Sequence, residues 1–326
     1  MAKHMEEQKH SGMADASSAV AIGEDKFLVV TDEKNMFMLY DAFDSGEPLA
    51  TYDFSLFLDL EDGGKESDVE GSATLGGVTY WIGSHSRDKD GALARNRHQL
   101  FATNIETKKV YPKVRQVGQS YTNLVFDLLQ HSGYRDLMQE DLGLDVRKEL
   151  SPKEPGALSI EGLTNWGDAL LVGFRNPVPD DIALLAPILN PLQMVLYGDR
   201  AAIGDPIRLD LGGRGVRSMD YLESVAHYLI CAGSFGKDRD AQYFLWNGKP
   251  KSQPREFRSM PAVELNTEAV VTYPGRQGFQ LLSDDGDNFK DKKTPKKEQY
   301  FRSLWIDLPL EQELLATEDR EVAGVK

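Results

Sequence analysis

The chain has 326 residues, of which 40% are hydrophobic and 27% charged, a composition typical of globular proteins. Its net charge of −15 repels phosphate polyanions and so argues against general nucleic-acid binding. The single cysteine, Cys231, cannot form an internal disulfide, and no apolar stretch is long enough for a signal peptide or a membrane helix. We therefore expect a soluble, acidic, cytoplasmic protein without a membrane partner.

Short apolar runs separated by turn residues recur along the whole chain, a pattern that predicts many short β-strands. In chain order they form four sets of four and a fifth set of three. The predicted strands are Ala19–Ile22, Phe27–Thr31, Met36–Tyr40 and Leu49–Phe54; Gly71–Leu75, Val78–Ile82, Gln99–Ile105 and Val110–Val117; Ile160–Trp166, Ala169–Phe174, Ile182–Ile188 and Ile207–Leu211; Ser218–Leu222, His227–Ala232, Ala241–Trp246 and Glu256–Met260; and Thr267–Tyr273, Phe279–Ser283 and Tyr300–Leu308.

An acidic residue opens four of these sets, and a strand ending in small residues follows about thirteen residues later. The acids are Glu70, Glu161, Asp220 and Glu268. A four-stranded unit that recurs near every 50 residues is typical of propeller blades, which bury both faces only by packing on one another. The fold class we predict is all-β, a five-bladed β-propeller in one domain, with a β-sandwich or a two-domain β protein as the alternative. The predicted blades span residues 13–60, 69–119, 158–212, 216–261 and 266–310.

One stretch departs from the strand pattern. Residues 121–150 carry leucines near helical spacing and predict a helical hairpin, broken at Gly133 and inserted after the second blade. Residues 1–12 and 311–326 are expected to be flexible tails. The last set lacks an outer strand, which either the first residues or the end of the chain can supply.

Three short motifs resemble a bacterial family of unknown function that is thought to be propeller-like. They are Trp81-Ile82-Gly83-Ser84-His85-Ser86-Arg87, Gly173-Phe174-Arg175-Asn176-Pro177 and Gly12-Met13-Ala14-Asp15-Ala16-Ser17. The resemblance runs from about Gly12 to Leu308 and implies the propeller fold without an activity. The Glu-Gly pairs at the blade starts are also similar to calcium-dependent lactonase and esterase-like propellers, over those dipeptides alone.

The recurring acids should share one face of the propeller with the ends of the second strands. In a four-stranded antiparallel blade, the first strand begins on the face where the second one ends. The long loops Ser86–His98 and Asp284–Gln299 emerge on the same face, and long loops on a rigid scaffold commonly carry function. Carboxylates that converge there need a countercharge, which a divalent cation such as Ca²⁺ supplies through oxygen ligands. The predicted metal ligands are Glu70, Glu161, Glu268 and Asp284. Arginine and histidine pairing, or hydrogen bonds from a neighbouring blade, would neutralise the acids instead.

If this face is catalytic, His85 is the expected general acid or base, and Arg87 and Arg175 are expected to bind an anionic group of the substrate. Ser84, Asn176 and Asp220 are the remaining predicted ligand-binding residues. No phosphate-binding loop is present, so no nucleotide cofactor is expected.

Two functions remain open at this stage. The first is a metal-dependent hydrolase that acts on a small ester, lactone or phosphoester at the mouth of the channel. The second is a non-catalytic propeller that binds a protein or small ligand on its long-loop face, with the acids serving as structure. Neither requires nucleic acid or a membrane.

Overall fold

The computed structural model describes residues 3–4, 6–31, 34–60, 66–107, 111–138, 150–236, 241–258, 260, 264–290 and 293–308. The strands form five separate antiparallel sheets, four of them with four strands in chain order. The innermost strand of each sheet contacts the innermost strands of the two sheets beside it, so the five sheets close into a ring. This is the predicted five-bladed β-propeller, and the alternative of a sandwich or two-domain protein is wrong.

The strands overlap the apolar runs that predict them, except that the outer strand of blade 4, Arg255–Glu256, shares only Glu256 with the predicted Glu256–Met260. Blade 1 contains Ser18–Ile22, Lys26–Thr31, Lys34–Asp41 and Ala50–Asp53. Blade 2 contains Val69–Leu75, Val78–Gly83, Leu100–Glu106 and Lys113–Tyr121. Blade 3 contains Ser159–Trp166, Ala169–Asn176, Ala183–Ile188 and Ile207–Leu209. Blade 4 contains Gly215–Leu222, His227–Gly233, Gln242–Trp246 and Arg255–Glu256. Blade 5 contains Thr267–Thr272, Gly278–Ser283 and Tyr300–Asp307.

The start of the chain supplies the outer strand of blade 5. Lys3–His4 and Gln8–Ser11 both pair antiparallel with Tyr300–Asp307. His10 is fully buried there and stacks against Phe301 with ring centroids 4.9 Å apart. Gln8–Ser11 therefore belongs to the blade, which corrects the expectation of a flexible tail over residues 1–12. The other expected tail, residues 311–326, lies outside the described residues.

The hydrophobic core lies between the blades. Middle strands such as Ala169–Asn176 and Gly278–Ser283 are buried on both faces, since each sheet is covered by its neighbours on either side. Five clusters of buried apolar side chains fill these spaces, and they include the large rings of Trp81, Trp246 and Phe279. The free thiol of Cys231 is part of this core. Burial of this kind is the main stabilising term of the fold.

The predicted helical insertion contains two short α-helices, Leu124–Gln130 and Ser132–Arg135. The break between them falls at His131, whose backbone is extended, and Gly133 lies inside the second helix, which corrects the predicted position. Leu124, Leu128 and Tyr134 are fully buried in the cluster shared by blades 2 and 3. The helices are therefore part of the core. The end of the predicted hairpin, residues 139–149, lies outside the described residues.

A third α-helix, Pro191–Tyr197, connects two strands of blade 3 and packs on the outer strand of blade 2. Gly118 allows this contact, because it has a φ of 65° and a Cβ at that position would lie 2.0 Å from the Val195 carbonyl oxygen. Among the described residues, no helix is long and apolar enough to cross a membrane. Short 3₁₀ helices occupy Ser55–Phe57, Arg95–Arg97, Pro179–Asp181, Glu223–Val225, Gly286–Asn288 and Lys296–Glu298.

Candidate functional site

In four of the five blades, a β-bulge near the start of the innermost strand turns one side chain toward the axis of the propeller. In blades 2 to 5 the strand pairing skips a single residue between Val69 and Gly71, Ile160 and Gly162, Val216 and Ser218, and Thr267 and Ala269. The skipped residues are Glu70, Glu161, Arg217 and Glu268. Ser17 takes the matching position in blade 1, because its N–H donates to the Val30 carbonyl that lies opposite Ser18. We call these five residues the bulge ring. Bulges frequently re-aim side chains beside functional sites.

The bulge ring lines a cavity of about 680 Å³ at one mouth of the central channel, which we call the charged cavity. Carboxylates and cations of the described chain are nearly balanced around it. Its acids are Asp15, Asp68, Glu70, Glu161, Glu268, Asp284 and Asp287. Its bases are Lys89, Arg97, Lys153, Arg175, Arg217 and Lys290. The long loops that contribute Lys89 and Lys290 emerge on this face, as the sequence predicts.

Two arginines hold the glutamates of the bulge ring. Arg175 Nη1 donates to Glu161 Oε1 at 2.5 Å, and Arg217 Nη2 donates to Glu268 Oε1. Arg217 Nε also faces Glu161 Oε2 at 3.8 Å, a distance too long for a hydrogen bond. These two atoms are buried and have no hydrogen-bond partner. Side-chain exposure is 6% for Glu161 and 5% for Arg217.

The electrostatics of this cluster follow from its burial. Burial raises the pKa of Glu268 to about 7, with Arg217 opposing the rise and Glu161 adding to it. Burial lowers the pKa of Arg217, but Glu268 and Glu161 outweigh that effect, so the pKa lies above its ordinary value. The guanidinium of Arg217 therefore stays charged, bonded to Glu268 and facing Glu161. At neutral pH, Glu268 is near its midpoint.

A second charged pair lies beside the ring. Arg97 contacts Asp68 at 3.0 Å, and the hydroxyl of Ser84 donates to the same carboxylate. Burial raises the pKa of Asp68, and Arg97 and Ser84 act against that rise. Ser84, a predicted ligand-binding residue, thus lines the charged cavity next to an acid that sequence reasoning did not single out.

Of the other predicted residues, Asp284 lies in the charged cavity and Asn176 lies in the core. Asp284 lines the cavity and accepts hydrogen bonds from Gly286 N and Asn266 Nδ2. Asn176 is fully buried and donates to the carbonyls of Pro152 and Glu154, so it fixes the approach to blade 3.

His85 and Arg87 are buried behind the cavity and do not line it. His85 is fully buried, its Nδ1 donates to the Gly83 carbonyl, and its ring lies 5.3 Å from that of His98. Burial lowers the pKa of His85 to about 3, with His98 acting in the same direction. Arg87 is 2% exposed and donates to the Gly91 carbonyl within its own loop. This placement differs from the expected one, in which both side chains face a substrate.

Asp220 lies at the opposite end of the channel, which corrects its predicted place beside the other acids. It lines a second cavity of about 400 Å³, which shares Glu70 and Glu161 with the charged cavity, and it accepts hydrogen bonds from the backbone and hydroxyl of Thr272. Burial raises its pKa to about 6. The carboxylate therefore joins blade 4 to blade 5, and Arg217 stands where the sequence pattern suggested an acid.

The donor set of the charged cavity does not fit the predicted cation site. Ca²⁺ takes six to eight oxygen ligands, whereas the oxygens of Glu161 and Glu268 face the guanidiniums of Arg175 and Arg217. Among the described residues, no group of three or more His, Cys, Asp or Glu side chains is placed to hold a metal ion. The described residues therefore give no support to calcium binding, and a calcium titration tests that conclusion.

Comparison with known proteins gives weak likenesses only. No family model and no curated protein matches the sequence. The β-propeller domain of Myceliophteria thermophila Cps50 (Swd1) is similar at 10% identity and a TM-score of 0.42, with 95% of this chain and 100% of that one covered. A luciferin-regenerating enzyme is similar at 9% identity and a TM-score of 0.43, with coverages of 94% and 96%. The RRP9 WD40 repeats are similar at 7% identity and a TM-score of 0.41, with coverages of 95% and 100%.

At these values the neighbours carry no argument about function. The resemblance to a bacterial family of unknown function has no family match behind it, and the propeller fold is the part of it that is confirmed. The similarity to lactonase-like propellers stays a prediction.

Proposed function

We propose that this protein is a binding protein for a small, strongly polar solute, which it holds in the charged cavity. One observation carries the proposal: Glu161 Oε2 and Arg217 Nε, on side chains that line the cavity, are buried and lack hydrogen-bond partners. A buried polar group left unpaired costs about 1–3 kcal/mol. A solute that inserts a hydrogen-bonding group at this point offsets that cost.

The buried charges themselves favour a binding role. Taking two charges out of water costs several kcal/mol, and apolar replacements of such pairs are often as stable or more stable. Fold stability alone therefore gives little reason for the pairs Arg175–Glu161 and Arg217–Glu268 at the centre of the propeller. Groups with shifted pKa values in a cleft are characteristic of functional sites.

The position of these charges favours a small solute over a protein partner. Glu161, Arg217 and Glu268 have side-chain exposures of 6%, 5% and 14% and lie inside a concave cavity. A protein surface laid across the mouth would reach the exposed lysines of the loops and leave the buried cluster untouched.

The predicted hydrolase has less support than the binding protein. Its proposed general base, His85, is enclosed in the core, and its proposed metal ligands Glu161 and Glu268 are paired with arginines. General acid–base catalysis requires the side chain to come within hydrogen-bond distance of the substrate or of a bridging water.

A thermal-shift screen of polar metabolites, followed by calorimetric titration of those that stabilise the protein, tests the proposal. Binding to the folded state alone raises the melting temperature by mass action. We expect at least one solute to bind saturably and to lose its effect in Glu161→Gln. The matched control is Glu256→Gln, because Glu256 is half-exposed and pairs with Arg258 in the outermost part of blade 4. A solute whose binding is unchanged in Glu161→Gln, or a broad screen without any binder, would refute the proposed function.

A further inference from the structure

We infer that the solute is a zwitterion, with an ammonium group held among the carboxylates of the charged cavity and a carboxylate or phosphate at its mouth. This inference rests on the proposed binding function and adds the chemical class of the ligand. It follows from how the two signs of charge are distributed with depth.

The inner lining of the cavity has an excess of negative charge. Among the described residues, six carboxylates that are buried or partly buried face three guanidiniums. The carboxylates are those of Asp15, Asp68, Glu70, Glu161, Glu268 and Asp284. The guanidiniums are those of Arg97, Arg175 and Arg217. In a partly desolvated cavity, this excess favours a cationic group of the ligand.

The unpartnered oxygen of Glu161 is an independent sign of where that cation sits. Oε2 is an acceptor on a carboxylate that is 95% buried, it has no hydrogen-bond partner, and Arg217 Nε at 3.8 Å is too distant to donate to it. An ammonium group has three donors that point in different directions, which suits carboxylates contributed by separate blades. A bare metal ion needs converging oxygens, which the described residues do not provide.

The mouth of the cavity has the opposite charge. Lys89, Lys153 and Lys290 come from three different loops, and all three are exposed. The exposed acid Asp287 also lines the mouth and pairs with Lys290, so Lys89 and Lys153 supply the excess of positive charge there. Lysines at the mouth of an otherwise acidic protein attract an anion and repel a purely cationic solute. A zwitterion resolves the two demands, since it presents its acid to the lysines and its ammonium group to the buried carboxylates.

Probes of one length and different charge separate the two ends of the ligand. We would titrate 6-aminohexanoate, hexanoate, hexylamine and hexane-1,6-diol calorimetrically at pH 7.5 and low salt. We expect 6-aminohexanoate to bind at least tenfold more tightly than either singly charged probe, and the diol to bind least. Hexanoate that binds as tightly as 6-aminohexanoate would overturn the ammonium site, and hexylamine that does so would overturn the role of the lysines.

Variants place each end of the probe in the cavity. Glu161→Gln should weaken 6-aminohexanoate at least tenfold without weakening hexanoate, and Lys153→Ser should weaken 6-aminohexanoate while leaving hexylamine unchanged. The exposed residues Glu256 and Lys249 provide the controls Glu256→Gln and Lys249→Ser, which should bind as the native protein does. Urea unfolding of each variant checks that a loss of binding is not a loss of structure. Unchanged binding of 6-aminohexanoate in Glu161→Gln would overturn the inference.

Failure of the inference is distinguishable from failure of the binding function. If hexanoate or the diol binds best, and loses affinity in Glu161→Gln, the cavity is a solute site and only the ligand class is wrong. If none of the four probes binds, the zwitterion is refuted, and the broader metabolite screen decides separately whether the cavity binds solutes.

Discussion

Replacing Arg217 with methionine should destabilise the protein strongly, and more so as the pH rises. Arg217 is 5% exposed and is the direct partner of Glu268, and it also faces Glu161. Methionine keeps much of the apolar stem and removes the charge. The substitution leaves the buried carboxylates with less compensating positive charge. Removing one partner of a buried ion pair is strongly destabilising because the other charge stays buried and uncompensated.

The expected magnitude follows from the burial of the pair and the pKa of Glu268. Removing one partner of a buried pair costs about 3–5 kcal/mol. In the native protein the pKa of Glu268 is raised by burial to about 7, against the effect of Arg217, so loss of Arg217 raises it further. Above pH 7 the folded variant then keeps a proton that the native protein has released, while the unfolded chains are alike. The difference in stability should grow by about 1.4 kcal/mol per pH unit over that range.

Urea denaturation at pH 6, 7 and 8 measures this difference directly. Arg258→Met is the matched control, since Arg258 pairs with Glu256 at 39% side-chain exposure and such pairs contribute about 0–1 kcal/mol. The double variant Arg217→Met/Glu268→Gln should regain part of the lost free energy of unfolding. It should also remove most of the pH dependence of the stability difference, because the titrating carboxyl is gone. A loss no larger than that of Arg258→Met, or one that is equal at pH 6 and pH 8, would refute the reasoning.

Three other predictions concern the same face. Binding of 6-aminohexanoate near pH 7 should release protons, because a cation beside Glu268 lowers the pKa of that carboxyl from about 7. Calorimetric titration in buffers with different ionisation enthalpies measures the release, and Glu268→Gln should abolish it. Calcium added after exhaustive chelation should not raise the melting temperature, and a saturable rise that is lost in Glu70→Gln would restore the metal hypothesis. Gly215→Ala should cost about 1–3 kcal/mol or more in urea denaturation and weaken solute binding, because its Cβ would lie 1.9 Å from the Arg175 carbonyl oxygen. Gly46→Ala is the control, because a Cβ added at Gly46 would meet no atom within 4 Å. Equal stability of the two variants would contradict this packing argument.

The fold could be predicted in detail because propeller blades leave a strong local signal. Each middle strand is covered by neighbouring blades on both faces, so its sequence is a continuous apolar run, such as Leu170 to Phe174. Closure of the ring could not be predicted in the same way. Gln8–Ser11 is a polar segment in which only His10 is buried, so its sequence does not alternate as a strand of a half-buried sheet does.

The candidate site was predictable in part. Glu70, Glu161 and Glu268 were found because an acid precedes a small residue at three blade starts. Blade 4 carries Arg217 at that position, and its first hairpin turn has four residues where blade 2 has two glycines. The longer turn moves the interval to Gly233 and makes Asp220 look equivalent to the glutamates, although it lies on the other side of the propeller.

His85 shows a limit of a different kind. Its motif identifies the end of the second strand of blade 2 correctly, but residue type and spacing do not reveal which way the side chain turns. The backbone of His85 has a φ of 51°, in the left-handed region, and the imidazole lies in the core beside His98. Residues other than glycine seldom adopt that conformation, and no pattern in this sequence predicts it at His85.

The pairing of Gln8–Ser11 with Tyr300–Asp307 has a consequence for biosynthesis. During translation Gln8–Ser11 leaves the ribosome long before its partner strand exists, because blades 1 to 4 lie between the two strands in the sequence. The nascent protein must therefore keep this polar segment unpaired while four blades form in order behind it. The circle can close only after Tyr300–Asp307 has emerged. A ribosome that stalls or terminates before Tyr300 would release an open crescent, with apolar blade faces exposed at both ends to chaperones and proteases.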